Sequence, residues 1–127
     1  MAPALIDEGG SGALAREVLK TDGDAHVPHL LDAEVLSMVR GHTRAGRLEP
    51  ERAEEALVDL DDWPLTRYAH LGLLAGAWRL RHNVSACDAI YAALAETIQA
   101  PLVTADARLV RASGLRCEVR LLDSLSN

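Results

Sequence analysis

Two acidic residues in the C-terminal third of the chain stand beside a short apolar strand, and this arrangement constrains the fold most strongly. Asp88 lies in the first turn of an amphipathic helical segment, and Asp106 follows the apolar stretch 101–104. Upstream, Glu34 falls in the first turns of another amphipathic segment. Acids placed at helix starts and strand ends are what a site for a hard divalent cation requires, because the carboxyl ends of parallel strands share one edge of a sheet.

Apolar spacing along the chain predicts strands that alternate with helices. The predicted strands are 25–28, 65–68, 101–104 and 117–122. The predicted helices are 13–20, 30–45, 50–62, 71–78, 87–98 and 107–112. Such alternation is typical of a parallel sheet. We therefore predict an α/β fold, a single domain over residues 1–127 in which a parallel β-sheet is flanked by α-helices on both sides.

The buried faces of two of these helices are predicted from apolar residues that recur every three or four positions. In the first helix they are Leu71, Leu74, Ala75 and Trp78. In the second they are Cys87, Ile90, Tyr91, Leu94 and Ile98.

A net charge of −6 limits how the chain could bind nucleic acid. Proteins that hold RNA through overall charge present a basic face, which this composition does not favour. The chain could still cut RNA if bound metal ions supplied the positive charge locally. No apolar run approaches the length of a membrane span and no signal peptide is visible, so we expect a cytoplasmic protein with no membrane partner.

Each acid also has a purely structural explanation. Ser85 and Asp88 fit the spacing of a capping box, Asp106 can serve as a helix N-cap, and Glu34 lies where the helix dipole favours an acid. The three together are more informative, because carboxylates gathered at one sheet edge would repel one another unless a cation neutralised them. Mg²⁺ or Mn²⁺ is the expected cation.

Three motifs, in this order, resemble those of the PIN-domain ribonucleases, in particular the VapC toxins of bacterial toxin–antitoxin pairs. They are PHLLDAEV around Glu34, SACDAIYAALA around Asp88 and LVTADARL around Asp106. The resemblance implies that these three acids are metal ligands and catalytic residues, with Mg²⁺ or Mn²⁺ as the cofactor. It also implies that the Thr104 hydroxyl helps to hold the site.

The resemblance further implies an endoribonuclease that hydrolyses RNA phosphodiester bonds, forms a homodimer and is neutralised by a VapB-like antitoxin. The alternative is a catalytically impaired PIN-like module that retains partner binding. A phospho-acceptor signalling domain would need an acidic pair after its first strand and a lysine late in the chain. The only lysine is Lys20, which argues against that class.

The N-terminus departs from the family pattern, in which an apolar strand ends in the first acid. In one alignment residues 2–6 form that strand and Asp7 is the acid; in the other, Met1 takes the place of the acid and the strand is missing. Only 27 positions separate Asp7 from Glu34, which is short for two helices and a strand, and Pro3 fits poorly in a central strand. We therefore expect an N-terminal truncation that removes the strand and the first acidic residue.

Overall fold

The computed structural model describes residues 25–121, which form four strands and five helices. The strands are β1 (Ala25–Pro28), β2 (Leu65–Tyr68), β3 (Leu102–Thr104) and β4 (Val119–Leu121). The helices are α1 (Leu30–Arg44), α2 (Pro50–Asp62), α3 (Leu74–Arg79), α4 (Ala86–Ile98) and α5 (Ala107–Val110), with a 3₁₀ turn at Leu71–Leu73. The predicted helix over 13–20 and both alignments of the N-terminal strand lie outside the described residues. None of the helices within 25–121 has the length and apolar character needed to cross a membrane.

All pairing between the described strands is parallel. β1 pairs with β2 from Ala25↔Leu65 to Pro28↔Tyr68, and β3 pairs with β4 from Leu102↔Val119 to Thr104↔Leu121. Within residues 25–121 the strands thus form two separate parallel pairs. Helix α4 contacts both β1 and β3, so it packs against both pairs. The predicted α/β class with parallel strands is confirmed.

The two larger groups of buried side chains within residues 25–121 surround these strands, and a third, smaller group consists of Leu73, Ala93 and Leu94. The first lies between α1 and α2 and consists of Leu31, Val35, Val39, Ala53, Ala56 and Leu60. The second surrounds α4 and consists of Leu80, Ala89, Tyr91, Ala92, Ala95 and Leu102. Because α4 buries several small alanines, neighbouring elements approach its backbone closely.

The predicted buried face of the segment 71–78 is wrong. Leu71 is 82% exposed, Trp78 67% and Leu74 48%, whereas the buried leucines are Leu73 and Leu80. Residues i and i+3 of a 3₁₀ turn, and i and i+4 of an α-helix, lie on the same side, so Leu71, Leu74 and Trp78 do share a face. That face is turned to solvent, and the segment buries Leu73 and Leu80 instead.

Small residues allow a close approach between α3 and α4. A Cβ added at Gly76 would lie 3.4 Å from the Cβ of Ala93, so the two helices approach through Gly76 and Ala93. The same preference corrects the predicted face of α4. Cys87, expected to be buried, is exposed, whereas Ala92 is fully buried.

A partly buried ion pair anchors the segment between α5 and β4. Arg79 Nη2 donates to both carboxylate oxygens of Glu96, at 2.9 and 3.0 Å, and Arg79 Nη1 donates to the carbonyl oxygen of Gly114 at 2.9 Å. Glu96 Oε2 also accepts a hydrogen bond from the backbone N–H of Arg116 at 2.8 Å. The pair therefore connects α3, α4 and the segment that leads into β4.

Replacing Arg79 with methionine is expected to lower the free energy of unfolding by about 1–3 kcal/mol, because Glu96 is only 15% exposed and would lose its cationic partner. Urea denaturation followed by circular dichroism measures the change. Arg52→Met is the matched control, since the Arg52–Glu55 pair is more than 60% exposed on both sides and should contribute under about 0.5 kcal/mol. Equal losses in the two variants would contradict an anchoring role for Arg79.

Candidate active site

Two acids in the first turns of α1 have different partners. Asp32 accepts hydrogen bonds from Arg67 Nε at 2.8 Å and Arg67 Nη2 at 3.1 Å. Arg67 also donates to the carbonyl oxygen of Leu60 at 3.1 Å. This clamp joins α1 to β2 and to the end of α2, and it neutralises the charge of Asp32. Asp32 therefore has a structural role.

Glu34, the second of these acids, points toward α4. Its Oε1 accepts a hydrogen bond from the hydroxyl of Tyr91 at 2.5 Å. The carboxylate is half-buried, and Tyr91 is only 5% exposed. Burial, followed by the hydrogen bond to Glu34, raises the pKa of Tyr91 well above its ordinary value. Tyr91 is therefore an uncharged hydrogen-bond donor to Glu34.

Asp88 lies at the start of α4, where capping is performed by Ser85. The hydroxyl oxygen of Ser85 accepts a hydrogen bond from the backbone N–H of Asp88 at 3.2 Å. The acceptor in that bond is the serine hydroxyl and not the Asp88 side chain. The half-buried Asp88 therefore lies at the helix start without serving as its cap. Asp88 and Tyr91 are three residues apart, so they lie on the same face of α4.

Asp106 follows β3 and is held in two ways. Its Oδ1 accepts from the backbone N–H of Arg108 at 2.9 Å, which makes Asp106 the N-cap of α5 as predicted. The hydroxyl oxygen of Thr104, which is 2% exposed, accepts a hydrogen bond from the backbone N–H of Asp106 at 3.0 Å. Thr104 therefore helps to position Asp106, in agreement with the expectation from the resemblance.

The guanidinium of Arg108 pairs with Asp106. Nε donates to Oδ1 at 3.1 Å and Nη2 to Oδ2 at 2.9 Å, although the Arg108 side chain is 86% exposed. These bonds and the Arg108 backbone N–H lower the pKa of Asp106. The bond to Asp106 raises the pKa of Arg108, and the charge of Asp88 adds to that shift. Arg108 thus lies within electrostatic reach of both acids.

The structure gives two of the predicted site residues side-chain partners. Tyr91 joins Glu34 to the helix that carries Asp88, and Arg108 pairs with Asp106. Among residues 25–121, however, the structure brings no three His, Cys, Asp or Glu side chains together as a metal site. The donor chemistry, carboxylate oxygen, suits a hard divalent cation. Metal binding by these three acids stays a prediction.

Sequence reasoning missed Tyr91 and Arg108 as neighbours of the acids. Tyr91 was assigned only to the buried face of its helix, although its spacing of three from Asp88 was a usable signal. Arg108 lies two residues after Asp106, at a position that the N-cap places beside the capping carboxylate. No local sequence pattern indicates the hydrogen bond between Tyr91 and Glu34, because the two residues are 57 positions apart.

Comparison with known proteins supports the family suggested by these motifs. The sequence-family model of the PIN domain matches residues 4–115. The chain is 41% identical to "Ribonuclease VapC1" of Mycobacterium tuberculosis over 120 residues, which cover 94% of this chain and 90% of the relative. It is 36% identical to "Ribonuclease VapC9" of the same species over 119 residues, with the same coverage. A third relative, "Ribonuclease VapC3", is 45% identical over 87 residues, or 68% of this chain and 64% of the relative. The chain therefore belongs to the PIN-domain family and, within it, to the VapC type.

Proposed function

We infer that this protein is a VapC-type toxin, a metal-dependent endoribonuclease that hydrolyses RNA phosphodiester bonds. The observation that carries the proposal is the position of Glu34, Asp88 and Asp106 at two helix starts and one strand end, in a chain related over 94% of its length to proteins named as ribonucleases. The alternative of a binding module without hydrolysis is not favoured, because each of these relatives carries the name of an enzyme.

We propose that Glu34, Asp88 and Asp106 hold the cation, with Mg²⁺ or Mn²⁺ as the ion. PIN-domain ribonucleases generally depend on divalent metals, and three carboxylates are ligands of the type that both ions prefer. When bound, the cation supplies the positive charge that stabilises a phosphodiester under attack by water. A bound cation would thus supply locally the positive charge that an overall net charge of −6 does not provide.

Arg108 is well placed to receive an RNA phosphate. Its guanidinium is 86% exposed and already binds both oxygens of one anion, Asp106. A phosphate presents the same paired oxygens, so the fork can exchange one anion for the other. That exchange would also release the Asp106 carboxylate for a cation.

The partners follow from the same relationship. We propose a VapB-like antitoxin that neutralises the toxin, a homodimer, and action in the cytoplasm, within one domain that comprises residues 1–127. An excess of acidic residues suits a basic partner segment. The exposed side chains of Leu71, Leu74 and Trp78 offer apolar surface of the kind that protein contacts cover.

Metal removal tests the activity directly. Incubation of the purified chain with a single-stranded RNA pool and EDTA is expected to give no cleavage, and addition of excess Mg²⁺ or Mn²⁺ is expected to restore it. Gel electrophoresis of end-labelled RNA measures the products. Cleavage that persists in EDTA would contradict metal dependence. Folded protein that fails to cleave RNA with either ion would favour the binding module.

A further inference from the structure

We propose that Tyr91 is a positioning residue for Glu34, which holds this carboxylate so that one oxygen is presented to a divalent cation. The proposal rests on the proposed function, because it takes Glu34 as a metal ligand. Its new element is the neighbour that determines how that ligand is oriented, and which oxygen of the carboxylate binds the metal.

The hydrogen bond itself is short and sheltered. A distance of 2.5 Å between the Tyr91 hydroxyl oxygen and Glu34 Oε1 lies in the range of charge-assisted bonds between a hydroxyl and a carboxylate. Tyr91 is 5% exposed, so water competes little for the donor. This bond engages Oε1, and we take Oε2 as the oxygen presented to a cation.

The packing of the tyrosine makes the bond a rigid support. The ring belongs to the buried group around α4, together with Leu80, Ala92 and Leu102. Its hydroxyl reaches a residue 57 positions away in the chain, on α1. Since Asp88 lies one turn before Tyr91 on α4, the bond fixes the position of the Glu34 carboxylate relative to the helix that carries a second proposed ligand.

The chemical nature of the donor distinguishes Glu34 from the neighbouring acid. Asp32 is clamped by the guanidinium of Arg67, which cancels its charge. Tyr91 donates an uncharged phenol hydroxyl to Glu34. A neutral donor orients the carboxylate and preserves the negative charge that attracts a cation.

Calorimetric titration of the metal-free chain with Mn²⁺ tests the proposal. Tyr91→Phe is expected to lower Mn²⁺ affinity about tenfold or more, the usual effect of removing a partner that orients a metal ligand. Tyr68→Phe is the matched control. It removes the hydroxyl of the other tyrosine in the chain, which bonds His26 Nδ1 at 2.7 Å, and should leave affinity within about twofold. In a Glu34→Gln background, Tyr91→Phe should have no further effect.

The outcomes separate the inference from the proposed function. Loss of affinity in Glu34→Gln together with normal affinity in Tyr91→Phe would overturn the positioning role and leave Glu34 as a ligand. Normal Mn²⁺ affinity in Glu34→Gln would overturn the positioning role of Tyr91 and also the proposal that Glu34 is a metal ligand. An additional loss from Tyr91→Phe in the Glu34→Gln background would show that Tyr91 acts through general packing, and would overturn the inference.

A second measurement does not depend on the folding of Tyr91→Phe. This measurement uses NMR of Tyr68→Phe protein labelled with [¹³Cζ]tyrosine. Tyr91 is then the only labelled residue, and its ¹³C chemical shift reports the hydrogen bond to Glu34. Titration with Mg²⁺ should move this resonance with the midpoint of metal binding, because a cation on Oε2 withdraws charge from Oε1. A resonance that stays fixed while Mg²⁺ saturates the protein would overturn the proposal.

Discussion

Replacement of Asp88 with asparagine is expected to lower the rate of RNA cleavage by a factor on the order of 100 or more. The substitution removes one charged oxygen donor from the proposed metal site, and a loss of even an outer partner of a metal ligand commonly costs 10- to 100-fold. Helix α4 should survive the change, because its cap is the Ser85 hydroxyl, which accepts from the backbone N–H of residue 88. Initial rates in saturating Mn²⁺ measure the effect.

Asp59→Asn is the control, since Asp59 is an exposed acid on α2 outside the proposed site. It should cleave RNA at the wild-type rate. A purely structural role for Asp88 makes the opposite prediction. In that case Asp88→Asn would cleave normally, and would lower the free energy of unfolding by about 1 kcal/mol or less through the lost interaction with the helix dipole.

Leu80→Ala is expected to produce the largest loss of stability, about 3 kcal/mol. Leu80 is fully buried in the group around α4, and truncation of a buried leucine to alanine leaves a cavity that typically costs about 2–5 kcal/mol. This is a large share of the 5–15 kcal/mol that stabilises a typical domain. Urea unfolding curves, compared at constant m-value, give the difference.

Leu71→Ala provides the comparison, because it makes the same substitution nine positions earlier, at a side chain that is 82% exposed. Its free energy of unfolding should change by less than about 0.5 kcal/mol. Similar losses at the two positions would mean that the assignment of buried and exposed faces in this segment is wrong.

The elements of the fold were predictable because their signals are local. The predicted strands 25–28 and 65–68 coincide with β1 and β2, and α1 ends within one residue of its predicted end. Strand spacing, Pro50 at a helix start and the Ser85 and Asp106 caps each depend on a few neighbouring residues. Reading such signals requires no knowledge of what the chain packs against.

The buried face of the segment 71–78 was not predictable in the same way. Leu71 and Trp78 satisfy helical spacing and carry large apolar side chains, yet both are exposed. The contact with α4 is made through Gly76 and Ala93, because small residues permit a close approach of the two helices. The spacing of apolar residues shows which positions share a helix face. It does not show how closely the backbones of two packed helices approach each other.

The sequence by itself predicted the class of fold and the family, and it named three acids for the candidate site, because each of these depends on a short motif or a local period. Only the tertiary structure decided how the two acids of α1, Asp32 and Glu34, are held. The Tyr91–Glu34 bond spans 57 residues and the Arg67–Asp32 clamp spans 35, and both depend on how α1 packs against its neighbours. Which acid is neutralised and which keeps its charge is decided by such contacts, because distant residues become neighbours only after the chain has folded.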